Sequence, residues 1–400
     1  MVAIYLAPVY LLVCVYILLR GLHWIQVLHA VFQNVWVCRG IGLIYLFVVF
    51  SILIAFMAPS SGFRRFMKLL SNYWLGVLMY TIMTVGIADV LRLLLKYPLK
   101  NLNFPGRTLL FGNVGTAVVG IICVVIITTV SIYGVINAGN IQTTKYDISI
   151  DKKAGKLDSL NVVLIADLHL GYNIGCRQME QMVEKINAQD PDLVVVAGDI
   201  FDNEYEALED PDRLEKILRG IQSEYGVYAC YGNHDIQEKI LAGFTFGGKE
   251  KKESSVKMDE FLEKAGITLL RDEYVLIDDS FYLYGRPDYE RPGRGIDARK
   301  SAQEIIADKD LSLPVLVIDH EPRELQELAD AGIDADLCGH THDGQLFPGN
   351  LTIKLMWENA CGYLKKGDMH SIVTSGVGLF GPNMRVGTKS EICDIMMHFK

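Results

Sequence analysis

The chain has 400 residues, half of them apolar, and a formal net charge of −9, a length too great for one ordinary domain and comfortable for two. Nine of its 38 Lys and Arg precede residue 141, but only one of its 47 Asp and Glu does. The acid-rich remainder excludes a nucleic-acid binder, which needs a basic face, and the imbalance excludes one uniform globule.

Apolar runs of about 20 residues can cross a bilayer. Four occur: Val2–Leu19 (ending at Arg20), Val35–Met57, Tyr73–Leu95 and Leu109–Ile136. The fourth is longer than needed, which predicts a tilted or late-starting helix. The first lacks the basic start of a signal peptide, and three more runs follow it. Tyr5, Tyr10, Trp36, Tyr73, Trp74 and Tyr133 sit near run ends, as in aromatic belts. Gly21–Asn34, with His23, Gln26, His29 and Gln33, reads as an interfacial amphipathic segment. Asp89 and Arg92 are spaced i, i+3 and are expected to pair. A transporter needs more polar groups inside the bilayer than this. These features predict a transmembrane region over residues 1–140, held in the lipid bilayer by four helices, and a second domain over 141–400.

From Asn140 the composition turns polar. Ile141–Lys156 suits a linker and a short edge hairpin, with Ala154-Gly155 as the turn. Strands are predicted at Asn161–Ala166, Leu193–Ala197, Val227–Tyr231, Thr268–Leu270, Tyr274–Ile277, Phe281–Tyr284, Pro314–Ile318 and Asp336–Cys338. Helices are predicted at Arg177–Asn187, Asp212–Ile221, Val256–Ala265 and Arg323–Ala331. The alternation implies α/β packing with a largely parallel core. Lys249–Glu253 is a charge run of a solvated loop. Eight cysteines are scattered with no CxxC, so neither a zinc finger nor a disulfide scaffold is expected.

Chemistry-bearing residues gather where these strands end. The first predicted strand leads into Asp167-Leu168-His169 and the second into Gly198-Asp199-Ile200-Phe201-Asp202. Gly232-Asn233-His234-Asp235 follows the third, and Asp319-His320 and Gly339-His340-Thr341-His342 follow two later ones. Ligands of open α/β sheets bind at the carboxyl ends of strands. One such motif alone is an ordinary turn, but five in order deliver carboxylate, imidazole and amide groups to one edge. That donor set suits two divalent metal ions, with mixed O/N ligation favouring Mn or Fe and compatible with Zn. A carboxylate shared between two cations holds them about 3.5–4 Å apart, where they activate water and neutralise a phosphoryl group.

The series Asp167-x-His169, Gly198-Asp199-x-x-Asp202, Gly232-Asn233-His234-Asp235, His320 and Gly339-His340-x-His342 resembles the calcineurin-like metallophosphoesterase superfamily. It covers about three-fifths of the chain. Gly339 through Gln345, and Thr374-Ser375-Gly376-Val377-Gly378 through Arg385 to Glu391, resemble its bacterial membrane-associated branch, which includes some lipid-nucleotide pyrophosphatases. The chain departs from that branch at Asp343, where a glycine is common. The resemblance implies a two-sheet sandwich flanked by helices. It implies that Asp167, His169 and His342 hold one metal, that Asn233, His320 and His340 hold the other, and that Asp199 bridges them. It makes His234 the group beside the leaving atom, oriented by Asp235, with Asp202 supporting nearby ligands.

The expected activity is metal-dependent hydrolysis of a phosphodiester, phosphomonoester or pyrophosphate. The membrane anchor favours a lipid-linked substrate. Arg286, Arg291 and Arg294 are candidates for holding the rest of it. A contrasting expectation, an inactive membrane signalling or scaffold protein that keeps the fold, predicts missing ligands, and none is missing. Arg20, Arg39, Lys96, Lys100 and Arg107 on the odd loops slightly favour an outward-facing second domain at the cell membrane. Its five cysteines pull towards a reducing cytosol.

Overall fold

A computed structural model describes residues 2–59, 62–98, 106–238, 240–241, 244–245 and 254–400. The charge run Lys249–Glu253 and the loop residue Lys100 lie outside these. The chain divides into two compact units. One comprises Met1–Val135 with Ile240–Phe246 and Gly381–Met384, and the other Ile136–Lys239, Gly247–Phe380 and Arg385–Lys400.

The first unit carries four helices long and apolar enough to cross a membrane: α1 (Val2–Leu28), α2 (Val35–Met57), α3 (Gly62–Lys96) and α4 (Asn113–Ala138). Their outward side chains are apolar, as at Leu12, Leu43 and Ile44, which suits lipid as the surrounding solvent. Two expectations change, and a third, the late start of the fourth helix, is what the structure has. α1 continues through most of the stretch read as interfacial, and only Ala30–Gln33 forms a separate turn. The fourth run begins late, behind a one-turn helix at Arg107–Phe111. Asp89 pairs across the bundle with Arg20 and accepts a hydrogen bond from the Tyr16 hydroxyl (2.6 Å), while Arg92 donates to the Phe111 carbonyl (2.9 Å). Arg20 thus neutralises Asp89 from another helix and Arg92 is satisfied by a backbone carbonyl, so each charged group has a partner. Tyr10 and Trp74 are not belt residues either. The Trp74 indole donates to the Tyr10 hydroxyl, which donates to the Val49 carbonyl.

The second unit is built on two six-stranded sheets. The first sheet uses β1 (Ile141–Ile150), β2 (Ser159–Ile165), β3 (Leu193–Ala197), β4 (Val227–Cys230) and β5 (Ile267–Leu269). The second uses β6 (Glu273–Ile277), β7 (Phe281–Gly285), β8 (Val315–Ile318), β9 (Ala335–Cys338), β10 (Gly362–Lys366) and β11 (Met369–Val373). The last strand, β12 (Ser390–Phe399), returns to the first sheet and lies between β1 and β2. The pairs β2–β3, β3–β4 and β4–β5, and β7–β8, β8–β9 and β9–β11, are parallel. The expected edge hairpin does not form. β1 is an edge strand, but it pairs in parallel with β12.

The apolar strand runs follow from burial on both faces. In β2, Val162 and Leu164 face Leu283, Leu316 and Leu337 of the other sheet, while Val163 and Ile165 pack on helices Cys176–Asn187, Pro211–Leu218 and Val256–Ala265. The outer face of the second sheet packs on helices Ala302–Ile306 and Leu325–Ala331 through Val315, Val317, Ile305 and Leu328. Each sheet is thus covered by the other on one side and by helices on the opposite side. The observed architecture is the four-helix region plus helix-flanked two-sheet sandwich expected above.

Candidate metal centre

The loops leaving the strands stay tied to one another. Past β2, the Asp167 amide donates to the Gly198 carbonyl (3.0 Å) and the His169 amide to the Asp199 carbonyl (3.0 Å). Past β8 and β9, Gly339 donates to His320 (3.1 Å). Backbone bonding thus outlasts the strands and fixes where the polar side chains stand. Asp167, His169, Asp199, His340 and His342 all have positive φ, between 45° and 74°. Such conformations are costly for these residue types and concentrate at functional sites. Gly198 has φ +75° and no room for a side chain, because a Cβ there would stand 2.6 Å from His320 Nδ1.

Two groups of donor atoms hold the expected ligands, Asp167, His169 and His342 in one and Asp199, His320 and His340 in the other, and a third, His169, Asp202 and His234, shares His169 with the first. His169 Nε2 and His342 Nε2 are 3.0 Å apart, and His342 Nε2 is 3.7 Å from Asp167 Oδ1. In the second group, Asn233 Oδ1 is 3.0 Å from both His320 Nε2 and His340 Nδ1. One atom, Asp199 Oδ2, lies near both groups, 3.7 Å from His169 Nε2 and 3.2 Å from His320 Nε2. All seven side chains expected as ligands converge.

Hydrogen bonds set the nitrogen that each ring presents. His320 Nδ1 is 2.9 Å from the Ala197 carbonyl. A carbonyl only accepts, so Nδ1 carries the proton and Nε2 faces the cluster. His340 Nε2 lies 3.4 Å from Glu321, leaving Nδ1 inward. Such carboxylate and carbonyl partners are the usual outer support of metal-binding histidines. The buried Arg385 guanidinium lies 3.2 Å from His342 Nδ1 and donates to the carbonyls of Ser375 (2.6 Å) and Gly378 (2.9 Å), which holds the last ligand loop in place.

The electrostatics call for positive charge. Burial, then the Asp199 charge, pushes Asp167 up to about 6. Burial also opposes ionisation of Asp199, but His320 and His234 outweigh it and hold that carboxyl well below the usual range. Burial, then His320, lowers His340 to about 3, and burial, then His169, holds His342 well below its ordinary value. Burial opposes charge on His169 and His320 too, but Asp202 and Asp199 outweigh it and raise both, so carboxylates, an amide oxygen and imidazoles face one another at 3 Å as the donor chemistry of a divalent cation site.

Other expectations change. The Asp235 carboxylate meets backbone, not the His234 ring. It accepts from the amides of Phe201 (2.8 Å) and Gly232 (2.7 Å) and so braces two ligand loops. His234 Nδ1 meets Asn203, a residue not singled out in the sequence. Asn203 Nδ2 donates to the Ile236 carbonyl, so its oxygen faces the ring. Asp202 lies beside His169, 3.8 Å from Nδ1. Phe380 covers His234, with ring centres 4.6 Å apart.

Of the three arginines offered for substrate, Arg286 is wholly buried against Asp319 (2.7 Å) and Glu324 (2.6 Å), Arg294 pairs with Asp259, and only Arg291 reaches the site loops, donating to the Asn233 carbonyl (3.1 Å). A half-exposed cation beside the centre is instead Arg323, which pairs with Glu321 (2.8 Å) and is stacked between Tyr289 and Trp357, whose ring lies 5.2 Å from that of His340. Arg299 also reaches Asp319 (3.1 Å) and Glu324 (2.8 Å), so Arg286→Met removes one of two cations from a buried network and is expected to cost roughly 1.5–3 kcal/mol of stability in lost charged hydrogen bonds. Urea denaturation reads this, and an unchanged midpoint refutes the buried-pair assignment.

The fold and the donor groups at this edge match those of a metallophosphoesterase domain. Residues 160–344, a little under half of the chain, match the calcineurin-like phosphoesterase family. The transmembrane protein with metallophosphoesterase domain of Danio rerio is 28% identical over 294 residues, covering 69% of this chain and 62% of that protein. An uncharacterized metallophosphoesterase of Campylobacter jejuni is 29% identical over 273 residues, covering 67% of each chain. One from Aquifex aeolicus is 27% identical over 254 residues, 63% of this chain and 90% of that one. The chain thus spans just under two thirds of the vertebrate relatives it matches. The family match and the four apolar helices together are those of a multi-pass membrane protein with a calcineurin-like phosphoesterase domain.

Proposed function

We propose that the chain is a membrane-anchored, dinuclear-metal phosphoesterase, with a transmembrane region over 1–140 and a catalytic domain over 141–400, acting on a phosphodiester, phosphomonoester or pyrophosphate borne by a lipid. The observation that carries this is the single oxygen Asp199 Oδ2 standing between His169 of one donor group and His320 of the other. Asp167, His169 and His342 hold one ion, Asn233, His320 and His340 the second, and Asp199 both. Two divalent ions, Mn or Fe first and Zn next, supply an activated water and charge neutralisation of the phosphoryl group.

The remaining roles belong to the protein. With Asn203 accepting at Nδ1, His234 presents Nε2 towards the leaving atom. Burial, more than any other influence, lowers its pKa to about 4, so it takes up the proton it donates only beside the negative charge of a phosphoester. Asp235 keeps the loops of Asp199 and Asn233 in register, and Phe380 excludes water from the His234 ring. No observation favours the inactive-scaffold reading.

The test is turnover by purified full-length protein against phosphodiesters, phosphomonoesters, nucleotides and lipid pyrophosphates, with Asp199→Asn as control. Turnover of none, with metals bound, overturns the reading. The slight excess of basic residues on the odd loops supports a catalytic unit facing outward at the cell membrane. Lys251, in the charge run, would be a natural labelling position but lies outside the described residues. The exposed Asp368, in the turn between β10 and β11, serves instead. Asp368→Cys is expected to react with a membrane-impermeant thiol reagent on intact cells, and reaction only after lysis places the unit in the cytoplasm.

A further inference from the structure

Beside the metal centre runs Phe347–Trp357, of sequence FPGNLTIKLMW. It contains one lysine and no acid, within a domain where acids far outnumber bases. Its side chains do not behave as its composition would suggest. Leu351 is 57% exposed, Leu355 87% and Met356 76%. These apolar groups face solvent from short helical turns at Gly349–Thr352 and Ile353–Leu355.

The segment is held firmly and is not a loose loop. Gly344 and Gly349 touch so closely that a Cβ on Gly349 would stand 2.6 Å from the Gly344 carbonyl oxygen. The Gly349 amide donates to the Leu346 carbonyl (2.6 Å), the buried Leu346 bridges to Val386, and Asn350 donates to the Gly387 carbonyl (3.3 Å). A rigid turn that displays leucine and methionine outward is the signature of a surface that something covers.

At its end, Trp357 touches both His340 and Arg323, so apolar tip, lysine, tryptophan, arginine and metal ligand follow one another. Apolar groups at a tip, followed by Trp and cations, are the order in which side chains meet a bilayer: acyl region, then headgroups. The chain passes from the apolar helix α4, which ends at Ala138, to β1, which begins at Ile141, with only a two-residue connection.

We propose that residues 349–357 are an interfacial docking element. Leu351, Leu355 and Met356 enter the acyl boundary of an anionic membrane, with Lys354 and Arg323 at its phosphates, so that the rim of the metal centre meets lipid headgroups. This deepens the reading of a lipid-borne substrate, and it rests on that reading only for its purpose. The docking is measured without turnover.

Full-length protein is reconstituted in vesicles of phosphatidylcholine with about a third phosphatidylglycerol, with the partly exposed Cys38 and Cys361 changed to serine. An environment-sensitive fluorophore is placed by Leu355→Cys, and by Asp368→Cys as the reference. The 355 probe is expected to be quenched several-fold more by doxyl-labelled lipid than by aqueous iodide, and the 368 probe the reverse. Adding Leu351→Ser and Met356→Ser, or omitting the anionic lipid, should reduce the lipid quenching at least threefold. Iodide quenching at 355 equal to that at 368 overturns the docking. Protection from both quenchers also overturns it, because protein, from this chain or a second copy, then covers the patch. A lipid-quenched probe on a protein that cleaves no phosphoester keeps the docking and sinks only the enzymatic reading. A water-exposed probe on an active enzyme does the opposite.

Discussion

Metal removal is expected to cost the catalytic unit much of its thermal stability. Each ion binds a constellation that exists only when loops from five strands are assembled, so binding selects the folded state and adds RT ln(1 + [L]/Kd). At free metal about a thousandfold above Kd, that is roughly 4 kcal/mol per site. For a domain of this size, each kcal/mol moves the midpoint by about 2–4 °C. Chelator should therefore lower the melting temperature by roughly 8–16 °C for a single site, and excess manganese should restore it. Asp199→Ala should abolish most of the shift, because it removes the carboxylate common to both groups, whereas Asp368→Ala, on an exposed turn, should leave it intact. A midpoint indifferent to chelator and manganese sinks the metal centre. Elemental analysis after metal-free growth and reconstitution decides which ion it prefers.

What could be read from the sequence was what depends on local pattern. Leu193–Ala197 is apolar at every position because both faces are buried, and the motif residues stand at strand ends whatever the strands' neighbours. What could not be read depends on partners distant in the chain. Arg20 finds Asp89 across 69 residues, and no i, i+3 rule contains that. Arg286 looked like a free cation because its burial against Asp319 and Glu324 arises only when the sheet closes. β10 alternates partly buried and exposed residues and carries Lys365 and Lys366, so it lacks an apolar run. The helix at Ala302–Ile306 did have a signal, the Ser301-x-x-Glu304 capping box, which both side chains complete. Asn203 had none, because its approach to His234 depends on a loop turning through φ 61°.

The largest kinetic effect is expected at His234. Its ring shares a donor group with His169 and Asp202 but is not among the seven expected ligands, and its Nδ1 is committed to Asn203 with Phe380 packed on one side. A group so placed handles a proton and not a cation. His234→Ala should therefore retain metal, and the chelator-sensitive melting shift with it, while losing turnover. General acid catalysis supplies about 10²–10⁴-fold, and the full loss should appear with alkoxide leaving groups, which cannot depart without a proton. With a nitrophenolate leaving group, stable as the anion, most of the loss should vanish. Asn203→Ala tests the same geometry one step removed. It leaves the imidazole but frees its Nδ1, and should give a smaller loss that again shrinks with nitrophenolate. Equal losses on both substrates would make His234 a structural prop for the Asp199 loop, to which its amide donates at 2.7 Å. Rates close to wild type on both would remove it from the reaction altogether.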